Sequence, residues 1–546
     1  MKNRLIACVS ATVLASGLTL VATSPAYAAG ITTVTELKTA FATGGTVTLD
    51  ADLTMTDETL EVGTAPVTLD LNGHSLTVNN TTPGSGAAIG VPAGRSLTIE
   101  DTSAAGTGLL TATAQWGAGI GAGSTTPADA GSITITSGTV DAESTTYGAG
   151  IGGGNSDLGS ANGGTVLIEG GTVTAKGSGG AGIGGGINNG AYPADGGSVT
   201  ITGGTVTAIG EAGAGIGGGN SQGSASGGTV TISGGTVTAT STYFGAGIGG
   251  GTSAGSSDGG TIAISGGTVT AGSASGAGIG GGTSTSDTTD GGTVTITAGT
   301  VTATSSQAAG IGGGLAALGG TGDANGADLT IGSAAIVTTS GSTTAIGGGS
   351  SPSAGFGALS NAGTLTLGSD TAIPAGTTVT NTGTIVNEAT LTVAGTLEST
   401  GSGKTTNQGV IETVGSGAVA GTVTGNNYLI SYDPAGGTPT PADQQLYAAS
   451  FDAAGLSLAA APTLAGNDFK GWLSGSTTVT GSTELSTLAG TSTGSTVEIA
   501  LTASWQPVLA ATGATFPAIP IAIFALLALL TGAGLLLVRR PTTATD

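Results

Sequence analysis

The sequence predicts an all-β protein whose largest part is a right-handed parallel β-helix with about 32 residues in each coil. Three observations lead to this fold class. A motif close to AGIGGG recurs along the chain, strands with alternating apolar and polar residues follow it, and paired glycines separate those strands. Right-handedness is the usual chirality of parallel crossover connections. The isoleucines that mark successive coils are Ile89, Ile120, Ile151, Ile183, Ile216, Ile248, Ile279, Ile311 and Ile346.

Residues 163–175 illustrate one coil, since they read GGTVLIEGGTVTA. Alternation with a period of two indicates strands with one buried and one exposed face. Stacked coils should therefore bury aliphatic columns and expose threonine columns, while short AGIG strands supply the third side and glycines the corners. We expect Val166, Ile168, Val173 and Ala175 to point inward, and Thr165, Leu167, Thr172 and Thr174 to point outward.

A β-propeller and a β-roll are the alternative repeat architectures. A propeller requires longer strands with aromatic blade signatures, and the sequence lacks both. A calcium-binding β-roll requires the nonapeptide GGxGxDxUx, which is also missing from the sequence.

The first 28 residues have the organisation of a secretory signal peptide. A basic KNR start precedes an apolar stretch, and Ala26 and Ala28 form a small-x-small cleavage site. We therefore predict cleavage between Ala28 and Ala29 and export of the mature chain.

The solenoid is predicted to span residues 29–426, with the glycine-rich coils at 87–350 as its core. Residues 34–42 form an amphipathic helix that would cover the open first coil, which otherwise invites pairing with other strands. Residues 358–425 keep the strand alternation but lose the glycine motif, which predicts coils of a different type. The LDLNGH stretch at 69–74 resembles the first coils of pectin-lyase-like β-helices. The apolar face of the helix would consist of Val34, Leu37 and Phe41.

Aromatic residues become frequent at about Asn427, which predicts a separate domain at residues 427–507. The sequence of this domain resembles the internalin-type B repeat, also called the Listeria–Bacteroides repeat. This resemblance implies a small β-grasp-like fold that serves as a spacer or interaction module in bacterial surface proteins. Asn467 departs from the pattern, because the family usually has tyrosine there. The matching positions are Asp433, Gly436, Gly437, Pro462, Gly466, Phe469, Gly471, Trp472, Ala503 and Trp505.

The last 38 residues, 509–546, combine three ordered elements. The pentapeptide LAATG is followed by an uncharged apolar run at 516–538, and then by Arg539 and Arg540. About 20 apolar residues suffice to cross a bilayer as a transmembrane helix, and cationic residues favour the cytoplasmic side. This arrangement resembles the C-terminal signal of sortase-anchored wall proteins of Gram-positive bacteria. The family consensus is LPXTG, and LAXTG is a known variant.

The resemblance implies a role for each residue of the pentapeptide. Leu509 is the apolar anchor, and the Ala510-Ala511 step runs in an extended path through the sortase. Cleavage would fall between Thr512 and Gly513. The Thr512 carbonyl would then be joined covalently to peptidoglycan.

Composition limits the partners and the chemistry. The net charge is −23 at neutral pH with only nine basic residues, which excludes nucleic acid because phosphate contacts require lysine and arginine. Cys8, the only cysteine, leaves with the signal peptide, so the mature chain has no disulfide. We predict no cofactor and no metal ion. Four AGIG segments match the dinucleotide pattern G-x-G-x-x-G, but that pattern requires a helix directly after it, and none is predicted.

Several weaker signals stay open as alternatives. A polysaccharide-active β-helix would need clustered carboxylates and a base, yet the acids of the coils mostly scatter over variable loops rather than stacking in one column. Calcium binding at Asp287 and Asp290 is a further alternative. His74, the only histidine, lies in an Asn-Gly turn, which favours a structural role over catalysis. The threonine columns are either strand-forming residues or a surface for glycan or ice.

These observations together favour a non-enzymatic, wall-anchored surface protein. It would act as a stalk and presentation module in adhesion to host or neighbouring-cell surfaces. The expected partners are a sortase, peptidoglycan, and an unknown surface ligand, for which a glycan is one candidate. The alternative function is a glycan-binding or polysaccharide-active β-helix.

Overall fold

The computed structural model describes residues 30–316, 322–350, 354–425, 428–446, 458–493 and 496–508. These residues are almost entirely β-structure, and their main part is a parallel β-helix of the right-handed type with about nine turns. The fold class is therefore confirmed for the solenoid. No helix among the described residues is long and apolar enough to cross a membrane. The predicted transmembrane helix at 516–538 lies outside the described residues.

Two long strand rows form the largest sheet, and every strand in them pairs in parallel with its counterparts in the neighbouring coils. Thr293–Ser305 and Asp328–Gly341 run continuously through both rows. Row 1 otherwise contains Gly45–Thr48, Val67–Asp70, Ser96–Glu100, Ser132–Ile135, Thr165–Ile168, Ser198–Ile201, Thr229–Ile232, Thr261–Ile264, Ala358–Asn361, Thr378–Asn381, Thr396–Ser399 and Ala418–Ala420. Row 2 otherwise contains Leu53–Thr56, Ser75–Asn80, Leu109–Ala114, Thr139–Ser144, Thr172–Gly177, Thr205–Gly210, Thr236–Ser241, Thr268–Ser273, Thr364–Leu367, Thr384–Asn387, Lys404–Asn407 and Thr422–Thr424.

Shorter strands close the remaining sides of the coils. Row 3 consists of Leu60–Glu61, Ile89–Gly90, Ile120–Gly121, Ile151–Gly152, Ile183–Gly184, Ile216–Gly217, Ile248–Gly249, Ile279–Gly280, Ala309–Gly312 and Thr344–Gly347. Row 4, which the sequence did not predict, consists of Asn155–Ser156, Ile187–Asn188, Asn220–Ser221, Thr252–Ser253, Thr283–Ser284 and Leu315–Ala316. The later coils use Thr371–Ile373, Thr390–Val393 and Val410–Thr413 instead.

The inward and outward faces of the coil are as predicted. Val166 pairs with Val199 and Ile168 with Ile201, so identical or similar apolar side chains stack along the solenoid. The predicted inward residues of this coil are at most 1 % exposed, whereas Thr165 and Thr172 are exposed. The core is therefore a set of aliphatic columns parallel to the solenoid axis.

Glycine is required in row 3 because the coils approach each other closely there. Gly184 has φ 136°, a conformation that side chains rarely adopt. A Cβ atom on Gly184 would overlap the carbonyl oxygen of Gly217 in the next coil. The AGIG motif therefore encodes both the backbone turn and the contact between coils.

A helix covers the first coil, as the sequence predicts. It spans Val34–Thr43 and buries Leu37, Ala40 and Phe41, while Val34 is partly buried against the core. Thr33 caps its first turn by accepting a hydrogen bond from Glu36 N, and the Glu36 side chain bonds back in a capping box. The helix replaces the strand partners that the first coil lacks.

Residues 358–425 continue the solenoid with coils of about 20 residues, in agreement with the predicted change of coil type. Asparagines stabilise these narrow coils from inside. Asn361 Nδ2 donates to Asn381 Oδ1 at 2.9 Å, and Asn387 Nδ2 donates to Asn407 Oδ1 at 2.9 Å. Such ladders satisfy buried amide N–H groups from one coil to the next.

The described residues divide into two compact units. The first lies within Met1–Ser431, Asp443–Leu458 and Gly481–Ile499, and the second within Tyr432–Ala442, Ala459–Thr480 and Ala500–Asp546. The predicted domain boundary at 427 is not tested by this division and stays a prediction. Beyond the solenoid, the chain forms the strands Tyr428–Asp433, Gln444–Leu446, Asn467–Ser474, Thr477–Val479, Thr491–Thr493 and Thr496–Pro507, and the 3-10 helix Leu485–Thr487.

The second unit has an aromatic cluster. Phe469 contacts Trp472 and Trp505 edge to face, with ring centroids 5.4 and 5.6 Å apart. The indole nitrogens donate to carbonyl oxygens at 3.0 Å, from Trp472 to Ala459 and from Trp505 to Pro434. The aromatic residues quoted for the internalin-type resemblance therefore pack against one another.

Candidate functional site

One lysine lies between two glutamates on the outer face of row 2. Lys176 pairs in register with Glu143 of the preceding coil, and its Nζ lies 3.2 Å from Glu143 Oε1 and 3.5 Å from Glu211 Oε1. The hydrogen bond to Glu143, together with both carboxylate charges, raises the pKa of Lys176 above its usual value. Lys176 is therefore protonated at neutral pH, and it does not have the free amine that a general base needs.

The acidic residues of the coils were expected mostly to scatter over variable loops, and for three of them this expectation is wrong. Asp195, Asp258 and Asp290 lie in one column, each directly before the Gly-Gly pair that opens row 1. Asp258 Oδ1 accepts the backbone N–H of Asp290 at 2.9 Å. Equivalent hydrogen bonds, from a backbone N–H to a side-chain oxygen of the preceding coil, are 2.7 to 2.9 Å long. They join Asp129 to Asn162, Asn162 to Asp195, Asp195 to Ser226, Asp290 to Asn325 and Asn325 to Gly355.

This acidic column has a structural reason. Each side-chain oxygen accepts a backbone N–H from the next coil, where the loop has no strand partner to satisfy it. Burial raises the pKa of Asp290, and the charges of Asp258 and Asp323 raise it further, while the N–H of Asn325 opposes the shift. Carboxylates engaged in this way hold the loops together and are poorly placed to act as acid and base on a substrate.

The structure does not assemble a metal site from the residues that it describes. The suggested calcium ligands bond elsewhere, since Asp287 accepts the N–H of Thr288 and Asp290 accepts that of Asn325. Across the described ranges, no group of three or more histidine, cysteine, aspartate or glutamate side chains is arranged to hold a metal ion.

His74 lies beside a tight turn, as its Asn-Gly context predicts. Asn72 has φ 46° and Gly73 has φ 81°, and the N–H of His74 closes the turn by donating to Leu71 O at 2.8 Å. The ring Nδ1 lies 3.4 Å from Asp52 Oδ1. That carboxylate is 74 % exposed, so the pair is a surface contact rather than a buried catalytic one.

The threonines of row 2 form two straight outward columns. Thr205 pairs with Thr172 and Thr236, and the same register continues through Thr268 and Thr300. The second column, two residues further along each strand, consists of Thr174, Thr207, Thr238, Thr270 and Thr302. Neighbouring coils are about 4.8 Å apart. Binding of glycan or ice to these columns stays a prediction.

The segments that match the dinucleotide pattern lie in row 3. Gly152 and Gly249, from two of them, are both strand residues with positive φ. In the described chain these segments are followed by further short strands and loops, not by a helix. Their glycines are needed for close coil contacts, so a phosphate-binding loop is not formed.

Comparison with known proteins supports the repeat architecture. Six segments match a family model described as a beta helix repeat, at residues 133–155, 166–187, 199–220, 230–252, 262–283 and 291–315. These segments of the solenoid therefore match β-helix repeats. No curated protein and no solved structure matches the chain significantly.

Each matched β-helix repeat begins in row 1 or just before it and ends in row 4. The first repeat ends at Asn155, where a small pocket opens beside Trp116. Sequence reasoning missed this pocket because its residues come from two coils. The sequence signal that was available is a tryptophan in a loop position where the other repeats have different residues.

The residues predicted to undergo processing cannot be placed in the fold. The sortase residues Leu509, Ala510, Ala511, Thr512 and Gly513, and the signal-peptide residues Ala26, Ala28 and Ala29, lie outside the described residues.

Proposed function

We propose that the protein is a non-enzymatic surface protein that a sortase anchors covalently to the cell wall, with the solenoid as stalk and presentation module in adhesion. The order of three C-terminal elements carries this proposal: LAATG, the apolar run at 516–538, and the pair Arg539-Arg540. The apolar run holds LAATG just outside the membrane, where a membrane-bound transpeptidase reaches it.

The proposed anchoring reaction needs no catalytic side chain from this chain. A sortase cysteine thiolate attacks the carbonyl of Thr512, the amine of Gly513 leaves with a proton, and a thioester forms. The amino group of a peptidoglycan peptide then attacks the thioester, which releases the thiol and leaves Thr512 in an amide bond. The protein supplies only recognition and the acyl group.

The outer faces of the solenoid support the non-enzymatic part of the proposal. The column through Asp195, Asp258 and Asp290 is engaged with backbone N–H groups, and Lys176 is held protonated by two glutamates. Acid–base catalysis requires groups that exchange protons near neutral pH. These residues serve the packing of coils instead.

A polysaccharide-active β-helix is the second candidate. One observation favours it: a surface cavity of about 310 Å³ on row 2 is lined by Asp141, Glu143 and Lys176. Incubation of the protein with acidic and neutral polysaccharides tests this candidate. Release of unsaturated or reducing ends would replace the non-enzymatic proposal.

The anchoring is tested with cells that express the protein with Thr512→Ala. We expect the wild-type protein to resist detergent extraction and to be released by a muralytic enzyme, because it is joined to peptidoglycan. The variant should stay in the membrane fraction or be shed into the medium. As matched control, Thr502→Ala leaves the pentapeptide intact and should be anchored like the wild type. Recovery of intact wild-type protein, with its C-terminal tail, from the detergent-soluble membrane fraction would refute wall anchoring.

A further inference from the structure

A pocket of about 180 Å³ lies at the beginning of row 4, where the first complete β-helix repeat meets the coil before it. Segment 124–126 forms one wall, and the indole of Trp116 forms another. Asn155, Ser156 and Asp157 line it with polar groups, and Leu158, which is 73 % exposed, lies at its rim. We call it the Trp116 pocket.

The Trp116 pocket contains a buried hydroxyl group without a partner. Ser156 is 3 % exposed, and its Oγ makes no hydrogen bond. Later residues of its column do bond. Three of them bond to a loop carbonyl 29 residues earlier, Asn188 to Gly159, Ser221 to Tyr192 and Ser284 to Gly255, and Ser253 bonds within its own loop.

The corresponding loop carbonyl before Ser156 belongs to Pro127. That oxygen accepts the hydroxyl of Thr125 at 2.8 Å, and Ser156 Oγ does not bond to it. Unsatisfied buried polar groups are costly and uncommon in folded proteins. A ligand hydroxyl in the Trp116 pocket would supply the partner that Ser156 lacks.

Trp116 also occupies a position that later coils fill differently. Thr252 Oγ1 donates to the carbonyl of Ala212 and Thr283 Oγ1 to that of Phe244, so in those coils row 4 is bonded directly to this loop. Asn155 lies 39 residues after Trp116, at the same spacing, but the described hydrogen bonds join its side chain to Asn189 instead. Tyr147 of the next coil contacts the indole edge to face, with centroids 5.1 Å apart, and so fixes the ring.

The polar wall is held in place from outside the pocket. Asn189 Nδ2 donates to Asp157 Oδ1 at 3.0 Å and to Asn155 Oδ1 at 3.5 Å. One amide group therefore sets the positions of two acceptors. Asp157 is the only ionisable residue that lines the pocket, so the pocket presents a carboxylate and no cation.

We propose that the Trp116 pocket binds a neutral sugar ring of a surface glycan. The indole offers a flat apolar face to the C–H side of a pyranose, while Asp157 accepts its hydroxyl hydrogens and Ser156 bonds at the bottom. The volume is below the roughly 300 Å³ of typical drug-sized pockets and suits a single ring. An acidic sugar would face the Asp157 carboxylate without a compensating cation. This inference rests on the proposed adhesive function and specifies its ligand class.

The test uses the full-length protein purified in detergent and an array of neutral and acidic oligosaccharides. The neutral probes contain glucose, galactose, mannose or N-acetylglucosamine, and the acidic probes contain glucuronate or galacturonate. The neutral probe that binds most tightly is then titrated calorimetrically against the variants. We expect at least about tenfold weaker binding for Asp157→Asn and Trp116→Ala, and about threefold weaker binding for Ser156→Ala.

Tyr243→Ala is the matched control, since Tyr243 is 57 % exposed in the loop equivalent to that of Tyr147 and does not line the pocket. Its affinity should stay within about twofold of wild type. Ser156→Ala removes a single oxygen, so it tests the pocket even if Trp116→Ala disturbs the coil, and circular dichroism checks the fold of both.

The proposal is overturned if no neutral probe binds at about 10 mM, if only acidic probes bind, or if Asp157→Asn and Ser156→Ala both bind like the wild type. Anchoring is measured separately through release by the muralytic enzyme. Anchored protein without neutral-glycan binding refutes the pocket and leaves wall anchoring intact. Neutral-glycan binding by protein that is not wall-anchored supports the pocket and refutes wall anchoring.

Discussion

Replacing Gly184 with alanine should destabilise the solenoid more than an average core mutation. Gly184 has φ 136°, and holding a side chain in such a conformation costs about 1–3 kcal/mol. The new Cβ would overlap Gly217 O and lie 2.9 Å from its carbonyl carbon, so the two coils must separate. That separation weakens the hydrogen bond from Gly185 N to Gly217 O, which is 2.9 Å long in the wild type. Losing this hydrogen bond costs about 0.5–1.5 kcal/mol. The combined loss is about 1.5–4.5 kcal/mol.

Gly272→Ala is the matched control for this prediction. Gly272 lies in row 2 without a positive φ, and the nearest atom to its new Cβ is Thr304 Oγ1 at 3.5 Å. Its neighbour in the preceding coil is Thr240, so a side chain fits this column. We expect no loss of stability, or a gain of about 0.5 kcal/mol from a less flexible unfolded chain.

Urea denaturation followed by far-ultraviolet circular dichroism measures both variants. Repeat proteins lose stability locally as well as globally, so the slope of the transition should be compared along with its midpoint. A lower midpoint for Gly184→Ala, with Gly272→Ala unchanged, supports the close-contact explanation. Equal midpoints for Gly184→Ala and wild type would show that the coils can separate at no cost, and the explanation would be wrong.

Two further predictions concern buried polar groups. Asn381→Ala removes a fully buried amide that bonds Asn361, Ser399 and Lys404 O, and should cost about 2–4 kcal/mol in urea denaturation, whereas exposed Thr380→Ala should change little. Asp290→Asn should stabilise the fold at pH 7, because burial raises the pKa of Asp290 and its ionised form is disfavoured in the fold. This advantage should shrink as pH falls through the raised pKa and vanish below pH 3.8; a constant advantage in melting experiments would contradict it.

The aliphatic columns could be predicted because each coil carries the same local pattern. The alternation in residues 163–175 fixes which side chains point inward, and this holds whatever the register between coils is. The capping helix was likewise predictable from its own periodicity, and it ends at Thr43, one residue beyond the prediction. Both features depend on residues that are neighbours in sequence.

The acidic column was mispredicted because it depends on how loops of different length align. Asp195, Ser226 and Asp258 are not equally spaced in sequence, and the intervening loops differ in composition. Their common property is that each directly precedes a Gly-Gly pair. Aligning the coils on those glycines, rather than on the isoleucines, would have placed these residues together. The asparagine ladder of the narrow coils was missed for a different reason, since its partners are 20 residues apart and the predicted coil length was about 32.

The repeats also indicate where a binding site is to be sought. In several coils of row 4, buried side chains bond to the coil before, as Ser221 and Ser284 do with loop carbonyls. A ligand gains most from a buried polar group where that mutual satisfaction fails, because elsewhere it must displace an existing hydrogen bond. Ser156 marks such a failure, at the coil where row 4 begins and Trp116 replaces a loop contact found later.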